Sequence, residues 1–379
     1  MKRILFVLPS LAVGGMERVL ITLANRLCAS GYDVTVMILD DITDLKDQLD
    51  ERISLIRRPY KKHLGSRIPY IRHTMYDDGM WETRADAEEL YLYYVRDKKY
   101  DVEIAFFRGL CVKIISGSTN RRSVKLAWVH NDFRRAKGYD NNFRNIDEVK
   151  KAYSRFDRVI CVSEQAREGF EEVVGDTGNT HTIYNMLPIN EIVAMSREKV
   201  TPGVSRAGLH AVVAARLKDS AKGQLRLISA VSRLRGEGED ISLSIVGGGN
   251  DYELLRDEIE RRNAASYIAL EGEQRNPYPY IAQSDVLVCS SYYEGYNLTV
   301  AEALILGVPV LSTDCTGPNE ILDRGRYGMI VENSEEGLYK GLRELCRDPA
   351  LLAEYREKAK QRQSFFDEDK ILKQITDLF

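Results

Sequence analysis

The sequence predicts two doubly wound α/β domains, each organised on a parallel sheet. Three observations point there. Short, apolar, β-branched runs alternate with amphipathic helical stretches along the whole chain, which is the pattern of βαβ units and not of hairpins. Several of these runs end in glycine or polar loops that lead into helix starts, the place where open α/β sheets bind ligands. The chain is 379 residues long, more than one hydrophobic core usually supports, so two domains of roughly 150 to 200 residues are the natural division. We place the first domain at 1–195, a polar linker containing Pro202, Gly203 and Gly208 at 196–208, and the second domain at 209–362.

In the first domain, 4–8 (ILFVL) reads as a buried strand, Val13-Gly14-Gly15 as the turn after it, and 16–30 as a helix. That helix carries Val19, Leu20, Leu23, Ala24 and Leu27 on one face, and Gly31 stops it. A dinucleotide site would ask for G-x-G-x-x-G here, but only the pair Gly14-Gly15 is present. The pair reads either as a simple turn or as a place where backbone approaches a sugar or phosphate. The sequence next predicts a helix over 81–99 and strands over 102–106 and 125–129. The second of these ends at His130-Asn131-Asp132, with Arg134, Arg135 and Lys137 beyond. A histidine at a strand's end before a polar loop is either structural or a site residue. A helix over 152–158, a strand over 159–162, a helix over 164–173 capped by Ser163 and a last strand over 182–185 complete the domain.

The second domain opens with a strand over 210–215, and Arg216 and Lys222-Gly223 occupy the loop behind it. Two cations six residues apart between a strand and a helix can reach one diphosphate, although charged loops are also common. No D-x-D motif stands beside a strand end, so metal-free phosphate binding is expected. Leu243 to Val246 runs into Gly247-Gly248-Gly249, and a strand over 268–270 runs into Glu271-Gly272-Glu273. The stretch EGYNLTVAEALILGVPVL, Glu294 to Leu311, joins a strand, a loop and a helix that Asn297 is placed to cap. Free amides and the dipole make such a helix start an anion site. Glu294 and Glu302 bracket it and would repel an anion unless they accept hydrogen bonds from neutral hydroxyls. The ligand so described is a phosphate flanked by sugars. The plainer reading makes Glu302 part of a solvated helix face and Glu294 a loop carboxylate.

Composition narrows the partners. Formal charge is −3 over the chain, but Lys and Arg outnumber Asp and Glu by 21 to 14 within 51–150, a local +7. That excess suits an acidic or membrane-associated partner, and a nucleic-acid binder would be basic throughout. Residues 57–72 (RRPYKKHLGSRIPYIR) interleave cations with aromatic and aliphatic residues, as an anionic membrane surface or a solvated basic loop would require. Pro59 and Pro69 forbid one continuous helix there. Met1-Lys2-Arg3 and the apolar run after it imitate a secretory signal, but Pro9 interrupts the run and a strand-loop-helix unit explains it. No stretch reaches the roughly 18 to 20 apolar residues of a membrane span. The six cysteines are scattered without a C-x-x-C pair and read as reduced core residues. A cytoplasmic protein, with peripheral placement at the inner face of the plasma membrane, is the expectation.

Glu294 and Glu302 stand as E-x7-E inside EGYNLTVAEALILGVPVLSTDCTGPNEIL. This resembles the donor-site signature of the retaining glycosyltransferases of family 4, whose GT-B architecture sets two Rossmann-like domains around a central cleft. The resemblance implies that Glu302 holds the nucleotide ribose and Glu294 the donor sugar. It implies that the loop amides of Gly295, Tyr296, Asn297 and Leu298 hold the diphosphate, although many members have glycine where this chain has Asn297. The family's R-x-L…K-G pattern is matched by Arg216 and Lys222-Gly223, and its W-x-H by Trp128 and His130, the histidine beside the reacting sugar. Gly14 and Gly15 match the family's glycine loop in position and type, while the Gly248 turn borders the same cleft and the loop 271–275, with Glu273, is expected to reach the base by backbone contacts. The last residues, about 363–379, resemble a terminal helix that returns to the first domain.

The function expected is a retaining transfer of sugar from a nucleotide-diphosphate sugar, UDP-sugar favoured, to a hydroxyl of a glycan or lipid-linked acceptor in bacterial surface polysaccharide or glycolipid assembly. No cofactor or metal is expected. The alternatives are a nucleotide-sugar epimerase of the same architecture and a non-catalytic nucleotide-sugar-binding protein. A glycosidase would need two carboxylates across one glycosidic bond, which a phosphate-type helix start between them does not provide.

Overall fold

The computed structural model describes residues 1–57, 81–96, 99–135, 138, 140–204 and 208–379. The basic stretch 57–72, apart from Arg57, and Lys137 lie outside the described residues. The chain divides into two units, Met1–Met186 with Asp369–Phe379, and Leu187–Glu368.

The first unit is a seven-stranded parallel sheet: β1 (Arg3–Leu8), β2 (Asp33–Ile38), β3 (Ser54–Arg57), β4 (Val102–Ala105), β5 (Val124–Val129), β6 (Arg158–Cys161) and β7 (Thr180–Thr182) in the order β3-β2-β1-β4-β5-β6-β7. The strands read as unbroken apolar runs because helices cover both faces. Residues 4–8 are fully buried. The helix Gly15–Ala29 buries Val19, Leu20, Leu23, Ala24 and Leu27, the face expected from their spacing. Two helix assignments change. The stretch after Trp81 is two helices, Trp81–Arg84 and Ala87–Tyr94, because Asp86 and Glu89 form a capping box that starts a new helix. The helix expected at 152–158 lies earlier, at Ile146–Tyr153, where the Asn145 side chain accepts from Glu148 N. The edge strand is Thr180–Thr182 and not 182–185, its register set by pairing with β6. Lys113, whose side chain is 1% exposed, donates to the carbonyls of Glu82, Thr83 and Asn142 at 2.8–3.1 Å and lies 3.3 Å from Glu148, pinning loops around the helix Leu110–Ser116.

The second unit is a six-stranded parallel sheet: β8 (Leu209–Ala214), β9 (Ile241–Val246), β10 (Ile268–Gly272), β11 (Val286–Cys289), β12 (Val310–Thr313) and β13 (Met329–Val331) in the order β10-β9-β8-β11-β12-β13. The strand order reverses at β8 and β11, which places a crevice beyond their carboxyl ends. The helix Ile189–Met195 belongs to this unit, although composition placed it before the linker. It packs on the helices Tyr278–Ala282 and Leu298–Ile305, and Asn276 Nδ2 donates to the Met195 carbonyl at 2.9 Å. At the other end Asp369–Phe379 goes with the first unit, where the Tyr32 and Phe379 rings meet edge to face at 5.7 Å. Among the described residues no helix is long and apolar enough to cross a membrane.

Candidate active site

β11 ends at Cys289, and the loop Ser290–Tyr296 leads into the helix Leu298–Ile305. Asn297 sits in the left-handed region at φ +70°, a conformation glycine takes freely and asparagine tolerates. Its Oδ1 accepts from Val300 N at 3.1 Å, which caps the helix, while its Nδ2 donates to Glu294 Oε1 at 3.1 Å. One side chain thus starts the helix and steers the carboxylate in front of it.

Glu294 Oε1 accepts two further hydrogen bonds, from Lys222 Nζ at 2.6 Å and Ser291 Oγ at 2.6 Å. The Lys222 and Glu294 side chains are 25% and 11% exposed, so the ion pair is largely withdrawn from water and poorly screened. Burial opposes the charge on Lys222, but the Glu294 carboxylate outweighs it and holds the lysine pKa above its ordinary value. Lys222 ends the short helix Asp219–Lys222, and Gly223 turns the chain at φ +63° into the helix Gln224–Gly236. A Cβ on Gly223 would lie 2.4 Å from the Ser290 carbonyl, so glycine is required for both the turn and the approach. Ser290 Oγ donates to the Lys222 carbonyl at 2.8 Å, fastening the two loops together.

The remaining second-unit residues gather around this pair in smaller groups. Arg216 is exposed on the loop after β8. That loop packs on the glycine turn after β9: Gly247 has φ +147°, and a Cβ there would meet the Ala215 carbonyl at 2.0 Å. Thr299 Oγ1 donates to the Ala214 carbonyl at 3.0 Å, tying the helix start near Asn297 to the same loop. Gly248 lies against the Glu273 side chain, whose carboxylate oxygen would be 2.9 Å from a Cβ on the glycine. Glu302 is 6% exposed and accepts from Tyr278 Oη at 3.2 Å, so it is a buried carboxylate and not part of a solvated helix face. Gly295 and Leu298 are half-buried, and Tyr296 is buried at 3%.

In the first unit, Gly14 caps the helix Gly15–Ala29 in an extended conformation, and neither Gly14 nor Gly15 has a positive φ. A turn that demands glycine is therefore not the reason for the pair. His130, half-buried at the end of β5, donates from Nε2 to the Phe106 carbonyl at 2.9 Å, which leaves Nδ1 as the acceptor nitrogen of the neutral ring. Burial pushes its pKa down to about 4, with the charge on Arg108 adding to the effect and the Phe106 bond opposing it. The unfolded chain therefore takes up a proton between about pH 6.5 and 4 that the folded chain refuses. This contribution to stability is full above pH 6.5 and falls with pH by at most about 1.4 kcal/mol per unit. Urea melts at pH 7.5 and 5.0 should show that His130→Gln removes part of the acid destabilisation. Arg134 is not free for an acceptor: it pairs with Asp132, Nη2 to Oδ2 at 2.7 Å. A groove of about 630 Å³ near Lys113, Arg144 and Arg155 is lined by none of the residues selected from sequence.

Three site residues escaped the sequence reading. Arg226, 7% exposed, donates from Nε and Nη2 to the Ser290 carbonyl (3.1 and 2.6 Å) and from Nη2 to the Ser291 carbonyl (3.0 Å) and Asn333 Oδ1 (2.7 Å), and it stacks 3.9 Å over the Tyr292 ring. Ser291 and Tyr278 are the others. Arg226 looks like an ordinary helix arginine, and only its position three residues after Gly223 could have marked it.

Residues 13–191 match the family described as Glycosyltransferase Family 4, and 208–348 match Glycosyl transferases group 1. A Campylobacter jejuni N-acetylgalactosamine-N,N'-diacetylbacillosaminyl-diphospho-undecaprenol 4-alpha-N-acetylgalactosaminyltransferase is 32% identical over 159 residues, 40% of this chain and 42% of the relative. An uncharacterized glycosyltransferase of Haemophilus influenzae is 23% identical over 99% of both chains. The chain spans about half the length of the first curated relatives it matches. The solved structure of Anabaena HepE in complex with UDP superposes with a TM-score of 0.76 at 20% identity, over 100% of this chain and 99% of that one. At that identity the likeness establishes a common fold, the GT-B arrangement of two Rossmann-like units.

Proposed function

Because the chain belongs to glycosyltransferase family 4, we propose that it moves a sugar from a UDP-sugar to a hydroxyl of a glycan or lipid-linked acceptor with retention of anomeric configuration. The observation that supports this most is the Lys222–Glu294 pair at the capped start of the helix Leu298–Ile305. A leaving diphosphate gains negative charge as the glycosidic bond breaks. Lys222, Arg216 and the amides of Gly295 to Leu298 are the positive groups set to meet it, without a metal ion, and preorganised charge of this kind supplies most catalytic energy. Glu294, held by Asn297 and Ser291, orients the donor sugar, and Glu302 holds the ribose. Gly248 and the Glu273 backbone border the nucleotide. The reacting sugar carries oxocarbenium character, and the acceptor attacks from the face the diphosphate leaves, with a phosphate oxygen taking its proton. The family resemblance assigns the neutral ring of His130, and the Gly14-Gly15 backbone, to the sugar as well.

Relatives support the setting: besides the Campylobacter diphospho-undecaprenol enzyme, the HepE structure holds UDP. The deciding experiment incubates the chain with UDP-, GDP- and ADP-sugars and candidate acceptors, with and without EDTA, and follows products by mass spectrometry and anomeric NMR. UDP release with an α-linked product from an α-donor supports the proposal. An interconverted sugar without acceptor would make it an epimerase, and binding without turnover a sensor. Glu302→Ala should raise the donor KM by roughly 10- to 100-fold, the value of one or two charge-assisted hydrogen bonds, with a smaller effect on kcat. Tyr278→Phe separates loss of the ribose contact from loss of the Tyr278 contact, and an unchanged KM in Glu302→Ala removes the ribose assignment.

A further inference from the structure

We propose, resting on the donor-site reading above, that Gln224 is a positioning residue: it holds the backbone of Arg216 so that the guanidinium is aimed before a diphosphate leaves. Gln224 opens the helix Gln224–Gly236, whose inner face carries Leu227, Ile228, Val231 and Leu234. Position 224 belongs to that face by its i, i+3, i+4, i+7 spacing, and it is as buried as those residues, at 0% exposed. Such a position takes an apolar side chain, because an amide withdrawn from water needs partners at both ends. The Gln224 amide has a partner at one end. Its Nε2 donates to the Arg216 carbonyl at 3.0 Å, while Oε1 is buried with no hydrogen-bond partner among the described residues. An unmet buried acceptor costs stability, and methionine or leucine would pack here without it. What glutamine adds at this position is the bond to Arg216.

That bond closes the loop between the two cations. On one side of Arg216, Ala215 N donates to the Val246 carbonyl at 3.0 Å; on the other, Leu217 N donates to the Gly248 carbonyl at 2.9 Å. The Arg216 carbonyl accepts from Lys218 N at 2.9 Å and from Gln224 Nε2, so the peptide joining Arg216 to Leu217 is held at both of its polar groups. The bond from Lys218 is local and does not tie the loop to the helix. Gln224 does, and its own place is fixed: Asp219 Oδ1 accepts from Leu225 N at 2.7 Å, and Asp219 N donates to Asp251 Oδ2 at 2.7 Å. Arg216 itself is exposed. With its main chain fixed, rotation of the side chain is the freedom left to the guanidinium, and less ordering remains for the moment of reaction. Lys222 is anchored by Glu294 at the far end of the same loop, so Gln224 does for Arg216 through the backbone what Glu294 does for Lys222 through the side chain.

The test compares the full wild-type chain with Gln224→Met, an unbranched apolar side chain of similar length, by steady-state UDP release from UDP-sugar, by UDP and UMP binding, and by urea unfolding. UDP carries the terminal phosphate charge that the leaving group acquires, and UMP lacks it. The expected result is a kcat lower by about 5- to 10-fold, the value of one hydrogen bond, with donor KM nearly unchanged. UDP should bind more weakly by a similar factor and UMP as in wild type. Urea stability should not fall, because the unmet acceptor leaves together with the bond. In the Arg216→Ala background, Gln224→Met should have no further effect on rate. A residue that only packs would lower urea stability, weaken UDP and UMP alike, and keep its effect on rate without the Arg216 side chain. Any of these results overturns the proposal, as does a Gln224→Met chain with wild-type kcat and UDP affinity. Gln224→Leu takes its place should Gln224→Met not fold, and failure of both to fold shows a demand of the fold itself and overturns the positioning role. Failure of the donor reading is visible separately, as a wild-type chain that turns over no UDP-sugar and binds UDP no more tightly than UMP.

Discussion

Lys222→Ala is expected to lower kcat at saturating donor by about 10²-fold or more, equivalent to about 2.7 kcal/mol of transition-state stabilisation. The ammonium is anchored 2.6 Å from Glu294 Oε1 in a largely dry setting, so its charge is aimed before substrate arrives and needs little reorganisation as the diphosphate departs. Its pKa is held above the ordinary lysine value, so it stays cationic through the neutral range. The variant has a second consequence: Glu294, 11% exposed, loses its counterion and, among the described residues, keeps the Ser291 and Asn297 donors. A bare carboxylate beside a diphosphate repels it. The double variant Lys222→Ala/Glu294→Gln separates the two effects. If Lys222 only neutralises Glu294, the double variant turns over as fast as Glu294→Gln alone, whereas if Lys222 meets the leaving group, it is slower than Glu294→Gln by a similar factor. Steady-state UDP release measures both, and an undiminished kcat in Lys222→Ala would remove the diphosphate assignment.

What could be read from sequence divides along a physical line. Strand identity came through because a parallel strand buried on both faces is an unbroken apolar run: 4–8 and 125–129 need no partner to be recognised. Helix starts came through where one side chain does the capping, as at Ser163, whose oxygen accepts from Ala166 N, and at Asn297. The helix Ile146–Tyr153 lies ahead of the 152–158 expected, although Asn145 and Glu148 spell out a cap, because Asp147 and Glu148 dilute the apolar signal of its first turn. The edge strand β7 slipped because its register depends on β6, a partner far away in sequence. The site follows the same rule. Glu294, Asn297 and Lys222 could be selected because each sits in a local strand-loop-helix pattern. That Lys222 and Glu294 touch, across 72 residues, is a property of adjacent β8 and β11. Arg226 and Tyr278 act on residues 64 and 24 positions away and leave no local mark.

Arg226→Ala tests whether the donor loop is held from behind. Arg226 is 7% exposed, and its guanidinium satisfies the carbonyls of Ser290 and Ser291 and the side chain of Asn333, with its face over Tyr292. Burial lowers its pKa, the mark of a cation kept in a dry place by oriented dipoles. Truncation strips the Ser290 carbonyl of its Arg226 donors, leaves the Ser291 carbonyl with Thr313 Oγ1 at 2.7 Å and opens a void behind the loop, which should cost the second unit about 2 to 4 kcal/mol in urea unfolding. Lysine cannot stand in, because an ammonium lacks the planar fork that reaches both carbonyls and stacks on the ring. Since the loop carries Glu294 and ends at Asn297, loosening it should also raise the donor KM and lower kcat together. Lys222→Ala also costs stability, because it leaves the Glu294 carboxylate without its counterion, but there the added Glu294→Gln change should restore stability without restoring rate. A variant Arg226→Ala as stable and as active as wild type would show that the loop holds its shape through Thr313 and the strand ends alone, and the supporting role given to Arg226 would fall.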